Sequence, residues 1–341
     1  MKITHIATIG VIFLSIVWIA TNSLLALVFG FVFFLLLWMN VFNYLSGKNF
    51  LLDVWHYFFV TRRSLQYWDE YCLNNKNKSD VIISLSTIPS RISEIVPTLK
   101  SLLAQKRSPK KIHLYVPHLS MREQVGYDIP KEIEDLHCLE IIRTEKDWGP
   151  STKFIPAIES LPPDQKILVL DDDNMYHRVL LRDFDKASDD NPDWMLTSSG
   201  WRVPEDLVDR DTTFWTNVTL QAPVPVPTTR IKDFYPIDIV QGYSGFLVRP
   251  RFFDLNELTN YPDEPVALKY VDDVWVSAQS KVPKYVYPSK RFCYTPFWKY
   301  DFFQSTSLAS INNHGKERDE DRNNSIALRY FKDKWVGNKN N

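Results

Sequence analysis

The sequence predicts an α/β domain with a mostly parallel sheet flanked by helices, preceded by a membrane-spanning helical hairpin. The strongest observation is an unbroken apolar run at 167–170, which is typical of a strand buried on both faces of a parallel sheet. Together with the segments that precede it, this run gives the order strand–helix–strand–strand–helix–strand, which is an α/β pattern. From residue 3 to residue 42 the chain has no charged side chain except a possible charge on His5, and this indicates membrane helices.

The elements expected in the first half of the domain alternate regularly. A strand at 81–86 precedes a helix at 93–105, whose apolar residues recur at helical spacing. Further strands are expected at 112–117, 139–143 and 167–170, with a helix at 152–161 before the last of them. The second half is less regular. Its expected elements are strands at 194–199, 237–240 and 284–287, a helix at 270–279, a loop at 204–227, a flexible polar segment at 305–324 and a closing helix at 326–335.

The apolar amino-terminal stretch is long enough for two membrane-spanning helices. A bilayer core needs ~20 apolar residues per helix, and the polar break Thr21-Asn22-Ser23 divides the stretch near its middle. We therefore expect a transmembrane hairpin at 1–45, with a single long tilted anchor as the open alternative. A cleaved signal peptide fits poorly, because the apolar region is too long and no small-residue cleavage site follows it.

Positive charges flank the hairpin on both sides, with Lys2 before it and Lys48, Arg62 and Arg63 after it. The positive-inside rule then places the globular domain, 81–341, in the cytoplasm of a bacterial-type inner membrane. A single span would instead permit a type II membrane protein of the Golgi. Between hairpin and domain, residues 46–80 combine aromatic residues with arginines. This predicts an interfacial helix and a linker, and packing of that helix against the domain is an equal alternative.

Composition excludes several classes of protein. The formal net charge of −1 provides no basic field for a nucleic acid. Only 10 glycines stand beside 21 prolines, which argues against a long glycine-rich phosphate loop. The cysteines Cys72, Cys138 and Cys293 are odd in number and widely spaced. They fit neither a zinc site nor a disulfide framework, so a reducing compartment is expected.

Three consecutive aspartates, Asp171, Asp172 and Asp173, follow the apolar run at 167–170. Ligands of parallel sheets bind beyond the carboxyl ends of the strands, so these carboxylates are expected at a binding site. Two carboxylates ~4–5 Å apart repel each other by roughly 3–4 kcal/mol at an effective dielectric of 20. A divalent cation removes that repulsion, and oxygen ligands suit Mg²⁺ or Mn²⁺. The alternative is a solvated acidic turn.

Five short segments, in order, resemble motifs of the GT-A-fold glycosyltransferases, and they lie within 81–281. They are STIPSRI after the first strand, GPSTK at a helix start, LDDD at a strand end, GYSG, and an acidic DDVW helix. The resemblance implies a GT-A fold and the transfer of a sugar from a nucleotide-diphosphate donor. It also implies that a metal ion bound by a D-x-D motif takes part in this transfer. The implied donor is a UDP-sugar. The membrane anchor and the aromatic segment within 46–80, rather than the resemblance, lead us to expect a glycan or lipid-linked acceptor and contact with membrane lipids. A homo-oligomer or biosynthetic complex is a further expectation.

The resemblance assigns the donor to two segments. Thr87, Pro89 and Arg91 correspond to the turn that holds the nucleobase and ribose, although Arg91 alone is equally compatible with a surface charge. GPSTK corresponds to the segment beside the diphosphate, where a helix amino terminus and Lys153 provide positive charge. The same residues are also those that start and cap an ordinary helix.

The resemblance also assigns the metal and the catalytic base. Asp171 would contact the ribose or a metal-bound water and Asp173 the metal, since residues i and i+2 of an extended segment point to one side. Asp172 can share either role if the register shifts. In the acidic helix, Asp273 is the expected base of an inverting transfer and Asp272 the reserve; an ordinary helix cap is the alternative.

Further residues are expected to contact the sugar or the metal. Gly242 and Gly245 permit close approach of the backbone to a ligand. Tyr243 is expected to stack on a sugar and Trp275 to line the acceptor cleft. His314 would be a further metal ligand by resemblance, and a surface histidine is the alternative.

Two other functions compete with glycosyl transfer. A haloacid-dehalogenase-like, Mg²⁺-dependent phosphatase also ends an apolar strand with D-x-D and has a later acidic pair. In that family, however, the motif follows the opening strand of the domain, whereas here about ninety residues of α/β pattern precede it. A non-catalytic membrane scaffold is the third possibility, and it predicts no donor binding.

Overall fold

The computed structural model describes residues 3–307 and 318–336, with side-chain surroundings from residue 9 onward. The amino-terminal stretch forms two helices, α1 (Ile3–Thr21) and α2 (Leu24–Ser46), and the Ser23 side chain caps the second. They pack antiparallel, since Phe13 contacts Phe34 with ring centroids 6.1 Å apart and Gly30 lies against Val17. Among the described residues, α2 is the one helix whose length and apolar composition suffice to cross a membrane.

The other elements of the described chain follow in alternation. The helices are α3 (Phe50–Thr61), α4 (Leu65–Asn74), α5 (Val96–Leu103), α6 (Lys131–Glu134), α7 (Ile155–Ser160), α8 (Leu180–Asp190), α9 (Phe214–Thr219), α10 (Leu255–Thr259), α11 (Asp272–Gln279) and α12 (Tyr300–Ser305), with closing helices at Asn323–Tyr330 and Lys332–Val336. The strands are β1 (Ile82–Ser86), β2 (Lys111–Pro117), β3 (Leu139–Thr144), β4 (Ile167–Val169), β5 (Met195–Thr197), β6 (Ser199–Trp201), β7 (Val226–Pro227), β8 (Tyr235–Ile237), β9 (Ile239–Val240), β10 (Phe246–Val248) and β11 (Lys284–Val286).

Eight of these strands form a mixed sheet in the order β3-β2-β1-β4-β10-β5-β11-β8, and β7-β6-β9 form a smaller one. Parallel pairs join β3 to β2, β2 to β1, β1 to β4 and β5 to β11. β10 runs antiparallel to both β4 and β5, and β8 antiparallel to β11. Most pairs in the described large sheet are therefore parallel, and the predicted α/β fold class is confirmed.

The strand β4 is buried on both faces of the sheet, as its apolar sequence predicts. Ile167, Leu168 and Val169 have no exposed surface. Leu168 belongs to the apolar cluster that includes α5 and α8, whereas Ile167 and Val169 belong to the cluster that includes α7 and α11. Because successive strand residues point to opposite faces, helices cover the sheet on both sides.

The helix α4 belongs to the globular core. Trp68 and Cys72 are at most 1% exposed and share an apolar cluster with β1. Asp69 accepts hydrogen bonds from the backbone N–H groups of His137 and Cys138, both at 2.8 Å. The helix α4, within the segment 46–80, thus packs on the domain that follows residue 80.

The helix α3 buries its polar face and exposes its apolar one. Asp53 and His56 are 4% and 2% exposed, whereas Leu51, Trp55 and Phe58 are 55–61% exposed. The exposed residues are four and three positions apart, so they form one stripe along the helix. An exposed apolar stripe of this kind suits a membrane surface.

Three segments differ from expectation, two of them near the aspartates. The helix expected at 152–161 is divided into a 3₁₀ helix, Gly149–Lys153, and α7, which has Pro156 in its first turn. Proline favours the first turn of a helix, so α7 starts anew there. In addition, Asp172 and Asp173 lie in a turn rather than an extended segment. The loop expected at 204–227 contains α9 and β7.

Candidate active site

Four segments meet at the edge where the parallel strands end. Thr87 follows β1, and Asp171–Asp173 follow β4. Because β10 runs antiparallel to β4, the segment that precedes it, 242–245, enters at the same edge. The first turn of α11 brings Asp272 and Asp273 to this place. We call this group of residues the acidic edge.

The side chain of Lys153 connects the two acidic segments. Its Nζ lies 2.5 Å from Asp171 Oδ1 and 2.7 Å from Asp272 Oδ2, and the side chain is only 8% exposed. Ser84 in β1 fixes the backbone of Lys153 by donating its hydroxyl to the carbonyl at 2.6 Å. Burial alone would lower the pKa of Lys153, but the charges of Asp171 and Asp272 raise this pKa well above its usual value. The lysine is therefore a buried, permanent cation.

Arg91 holds the middle aspartate. Its Nη1 lies 2.9 Å from Asp172 Oδ1 and 3.7 Å from Asp173 Oδ2, and Thr87 donates its hydroxyl to Asp172 Oδ2 at 2.6 Å. The guanidinium also donates to Phe303 O at 3.2 Å and to the Thr306 hydroxyl at 2.9 Å. Arg91 is 7% exposed, so it is not the surface charge of the alternative interpretation. Pro89 begins the 3₁₀ helix Pro89–Arg91 that positions it.

Asp273 is held by the backbone of the GYSG segment. Its Oδ1 accepts a hydrogen bond from the N–H of Gly242 at 2.8 Å. A Cβ on Gly242 would lie 2.6 Å from Lys153 Nζ, so only glycine brings the backbone this close to the acids. Burial, followed by the charge of Asp272, raises the pKa of Asp273 well above its usual value. A carboxyl group with a raised pKa is suited to accept a proton.

The aspartates after β4 carry more negative charge than their partners neutralise. Burial, and then the charges of Asp171 and Asp172, raise the pKa of Asp173 to about 7. Burial also raises the pKa of Asp172, in spite of its contact with Arg91. Four carboxyl groups thus contact only two cations, Lys153 and Arg91, at the acidic edge. The fifth, Asp273, is bound by the backbone N–H of Gly242. A divalent cation would remove the remaining repulsion between the carboxylates.

The carboxylates suit a cation that substrate oxygens help to hold. Among the described residues, no three His, Cys, Asp or Glu side chains stand together as a ready metal site. Lys153 and Arg91 engage Asp171 and Asp172 closely, whereas Asp173 lies 3.7 Å from Arg91 Nη1 and accepts its hydrogen bond from a neutral group, the side-chain amide of Asn174, at 2.7 Å. Mg²⁺ is often bound by one or two carboxylates together with substrate phosphates, and this donor set fits that mode.

The residues predicted to contact the sugar have different positions. Tyr243 lies next to the acidic edge, with its hydroxyl 3.3 Å from Ser199 Oγ. Gly245 has φ +91, and a Cβ there would lie 2.5 Å from the Leu170 side chain. A glycine is therefore needed at this position for the chain to turn close to the end of β4. Trp275 is 1% exposed, stacks on Tyr261 at 3.8 Å and donates its N–H to Leu258 O. This core position lends no support to the acceptor-lining role that we predicted for Trp275. His314 lies outside the described residues.

Sequence reasoning missed one residue that orients the acids. The hydroxyl of Tyr176 accepts from the N–H of Asp171 at 3.2 Å and lies 3.2 Å from Tyr243 O. The ring is fully buried. Tyr176 therefore ties the aspartate turn to the GYSG segment. A lone tyrosine five residues after an aspartate carries no sequence signal for this contact.

Comparisons with known proteins give remote structural likenesses. No protein-family model matches the sequence, and no curated protein matches it. Among solved structures, the chain is similar to S. aureus TarS 1–349, with a TM-score of 0.37 and 14% identity over 76% of this chain and 72% of that one. It is similar to S. aureus TarS (TM-score 0.41, 13% identity, 76% of this chain and 44% of that one). A third is GalNAc-T7 with UDP, GalNAc and Mn²⁺ (TM-score 0.37, 12% identity, 63% and 43%). Likenesses at this level do not assign an activity.

Proposed function

We propose that this protein is a membrane-anchored, metal-dependent GT-A glycosyltransferase. It would transfer a sugar from a nucleotide-diphosphate donor, a UDP-sugar, to a glycan or lipid-linked acceptor. The observation that carries the proposal is the contact of Lys153 with both Asp171 and Asp272. This contact gathers a buried cation for a diphosphate and two acidic segments at one sheet edge, where α/β proteins bind ligands.

In this proposal the donor diphosphate binds beside Lys153. The ammonium exchanges its contacts with Asp171 and Asp272 for phosphate oxygens, which are strong acceptors for a charged donor. Thr87, Pro89 and Arg91 form the turn that receives the nucleoside. Since Arg91 is bound to Asp172, its contribution is to fix that carboxylate and the turn around it.

Asp171 and Asp173 are the proposed metal ligands, with Asp172 held by Arg91. Their excess negative charge and the raised pKa of Asp173 support this assignment. A bound Mn²⁺ or Mg²⁺ neutralises charge that develops on the leaving nucleotide diphosphate. Asp173 is the residue best placed to change its contacts, since its hydrogen-bond partner, Asn174, is neutral.

Asp273 is the proposed base of an inverting transfer. The acceptor hydroxyl gives its proton to the Asp273 carboxylate while its oxygen bonds to the anomeric carbon. The bond from that carbon to the phosphate oxygen breaks, and the nucleotide diphosphate leaves with the electron pair. Gly242 orients the carboxylate through its N–H, and the raised pKa of Asp273 favours proton acceptance.

The anchor and α3 support a site at the membrane surface. α2 has the length and composition of a spanning helix, and α3 exposes Leu51, Trp55 and Phe58 on one stripe. Both features suit a domain that rests on lipid headgroups and meets an acceptor there. The flanking basic residues favour the cytoplasmic face of the membrane.

A donor screen tests the proposal. The full chain in neutral detergent is heated with each of a set of nucleotide sugars, with and without Mn²⁺. We expect one of them to raise the melting temperature in a saturable, metal-requiring manner, and release of the nucleotide diphosphate when an acceptor is added. Hydrolysis of a phosphomonoester by the same preparation, without donor binding, would favour the phosphatase instead. No binding of any donor would favour the non-catalytic scaffold.

A further inference from the structure

A cavity of about 390 Å³ lies where the carboxyl end of α2 meets the globular domain. One wall is the last part of α2, where Asn40, Asn43 and Tyr44 line the cavity, together with Gly47, which directly follows the helix. Positions i, i+3, i+4 and i+7 share one helix face, so this end of α2 turns a polar face toward the domain. The opposite wall comes from the segments around Arg230 and 290–292.

The end of α2 is fixed against that opposite wall. Gly47 has φ +72, and its carbonyl accepts a hydrogen bond from the hydroxyl of Thr229 at 2.7 Å. A Cβ on Gly47 would lie 2.5 Å from the Pro227 side chain. The cavity therefore lies beside a close, hydrogen-bonded contact between the end of α2 and the domain.

Four cations line the cavity, and none of them has an acidic partner within residues 3–307 and 318–336. Its basic residues are Lys48, Arg230, Lys290 and Arg291, and its one acid, Asp53, is bound to His177 Nε2 at 2.8 Å. None of these four cations lies within 4 Å of a carboxylate oxygen of a described residue. Positive charge gathered without compensation favours an anionic ligand.

Arg230 adds an unused donor. Its terminal N–H groups donate to Asn217 O at 2.7 Å and Val218 O at 3.3 Å, and its guanidinium lies 4.4 Å from the Tyr44 ring centre. The Nε is buried and has no acceptor among the described residues. A buried donor without an acceptor is unfavourable, and a phosphate oxygen is an acceptor that suits a guanidinium.

The position of the cavity indicates where the anion comes from. Residues 24–39 of α2 are apolar, and the cavity begins with Asn40. If α2 spans the bilayer, its polar end and the cavity lie at the level of the lipid headgroups. Phosphate groups of lipids are concentrated at that level, and basic residues near the surface bind them.

We propose that this cavity binds the phosphate headgroup of an anionic membrane lipid. The proposal rests on the membrane anchoring within the proposed function and not on the transfer chemistry. Lys48, Lys290 and Arg291 supply charge, and Arg230 supplies directed hydrogen bonds. Phe292, which also lines the cavity, contacts Tyr243 of the acidic edge with ring centroids 6.0 Å apart. The Phe292 side chain therefore connects the headgroup cavity to the acidic edge.

The test uses the full chain in neutral maltoside micelles without any nucleotide sugar. Dioctanoyl phosphatidic acid, dioctanoyl phosphatidylcholine and inorganic phosphate are titrated separately, and the melting temperature is followed. We expect saturable stabilisation by phosphatidic acid alone. The double variant Lys48→Gln/Arg291→Gln should weaken it at least tenfold, whereas Lys332→Gln, an exposed control outside the cavity, should leave it unchanged.

The single variant Lys290→Gln gives an independent check, because its side chain is exposed and its loss does not disturb packing. It should weaken phosphatidic acid binding with an unchanged melting temperature in the absence of lipid. Equal binding by all variants would overturn the proposal. Inorganic phosphate that binds as tightly as phosphatidic acid, and is lost in the same double variant, would overturn the lipid assignment in favour of a soluble phosphate. Since no donor is present, either failure leaves the transferase proposal to be judged separately by its donor screen.

Discussion

Replacing Lys153 by methionine removes the ammonium that joins Asp171 to Asp272. The side chain is 8% exposed and contacts these carboxylates at 2.5 and 2.7 Å, so solvent screens the contacts little. Loss of one partner of a buried ion pair costs about 3–5 kcal/mol of folding free energy. Loss of a charged hydrogen bond to a ligand costs about 1.5–3 kcal/mol, and at about 1.36 kcal/mol per tenfold donor binding should weaken roughly 10- to 150-fold.

A matched control separates these two effects. Lys166 is also buried, with a side chain that is 7% exposed and contacts Asp185 at 2.6 Å and Asp189 at 2.5 Å. It directly precedes β4, however, and so lies at the opposite edge of the sheet. Lys166→Met should therefore lower the free energy of unfolding without weakening donor binding. Chemical denaturation and calorimetry of both variants, under conditions where each is folded, provide the comparison. Equal donor affinity in Lys153→Met and the wild-type chain would refute the reasoning.

Three further predictions concern the base, the docking of α2 and pH. Asp273→Asn should lower kcat by about 100-fold or more, the usual contribution of a general base, and should leave donor affinity in calorimetry unchanged. Unchanged turnover would reassign the base. Gly47→Ala, with its positive φ and a Cβ 2.5 Å from Pro227, should cost about 1–3 kcal/mol in thermal unfolding. Gly30→Ala is the control, because a Cβ there would lie 3.4 Å from its nearest neighbour, a methyl group of Val17. Equal losses of stability in the two variants would contradict the close contact of Gly47 with Pro227. Burial, with the nearby charges of His177 and Arg178, lowers the pKa of His56 to about 2, so unfolding binds a proton below pH 6.5. The stability present above pH 6.5 should fall by about 1.4 kcal/mol per pH unit below it, less steeply in His56→Gln; identical slopes would contradict this.

The order of elements up to β4 and the acids after it follow from local sequence. An apolar run such as 167–170 leaves few choices other than a buried strand, and parallel strands place their following residues at one edge. The neighbourhood of Lys153, Asp171 and Asp272 could therefore be anticipated once GPSTK and DDVW were recognised. Their ion-pair distances could not, because they depend on the packing of α11 against the sheet.

Other features depend on long-range packing that no local pattern records. Trp275 occupies a helix start beside the acids, yet it packs on Tyr261, because burying two large rings outweighs exposing one in a cleft. Asp53 and His56 look like ordinary surface residues of an aromatic helix, but contacts with His177 and Tyr294 bury them. The position of α4 depends on such contacts as well, since this helix packs on a strand cluster that follows it in the chain.

Calorimetry of UDP-sugar binding tests the central claim most directly, namely that the aspartates after β4 hold a cation that in turn holds a donor diphosphate. The full chain is titrated with the donor found in the screen, first with EDTA and then with Mn²⁺, and the series is repeated with Asp173→Ala. We expect saturable binding that requires Mn²⁺ in the wild-type chain and is lost in the variant. Donor binding that is equally tight in EDTA, or equally tight in Asp173→Ala with Mn²⁺, would contradict it.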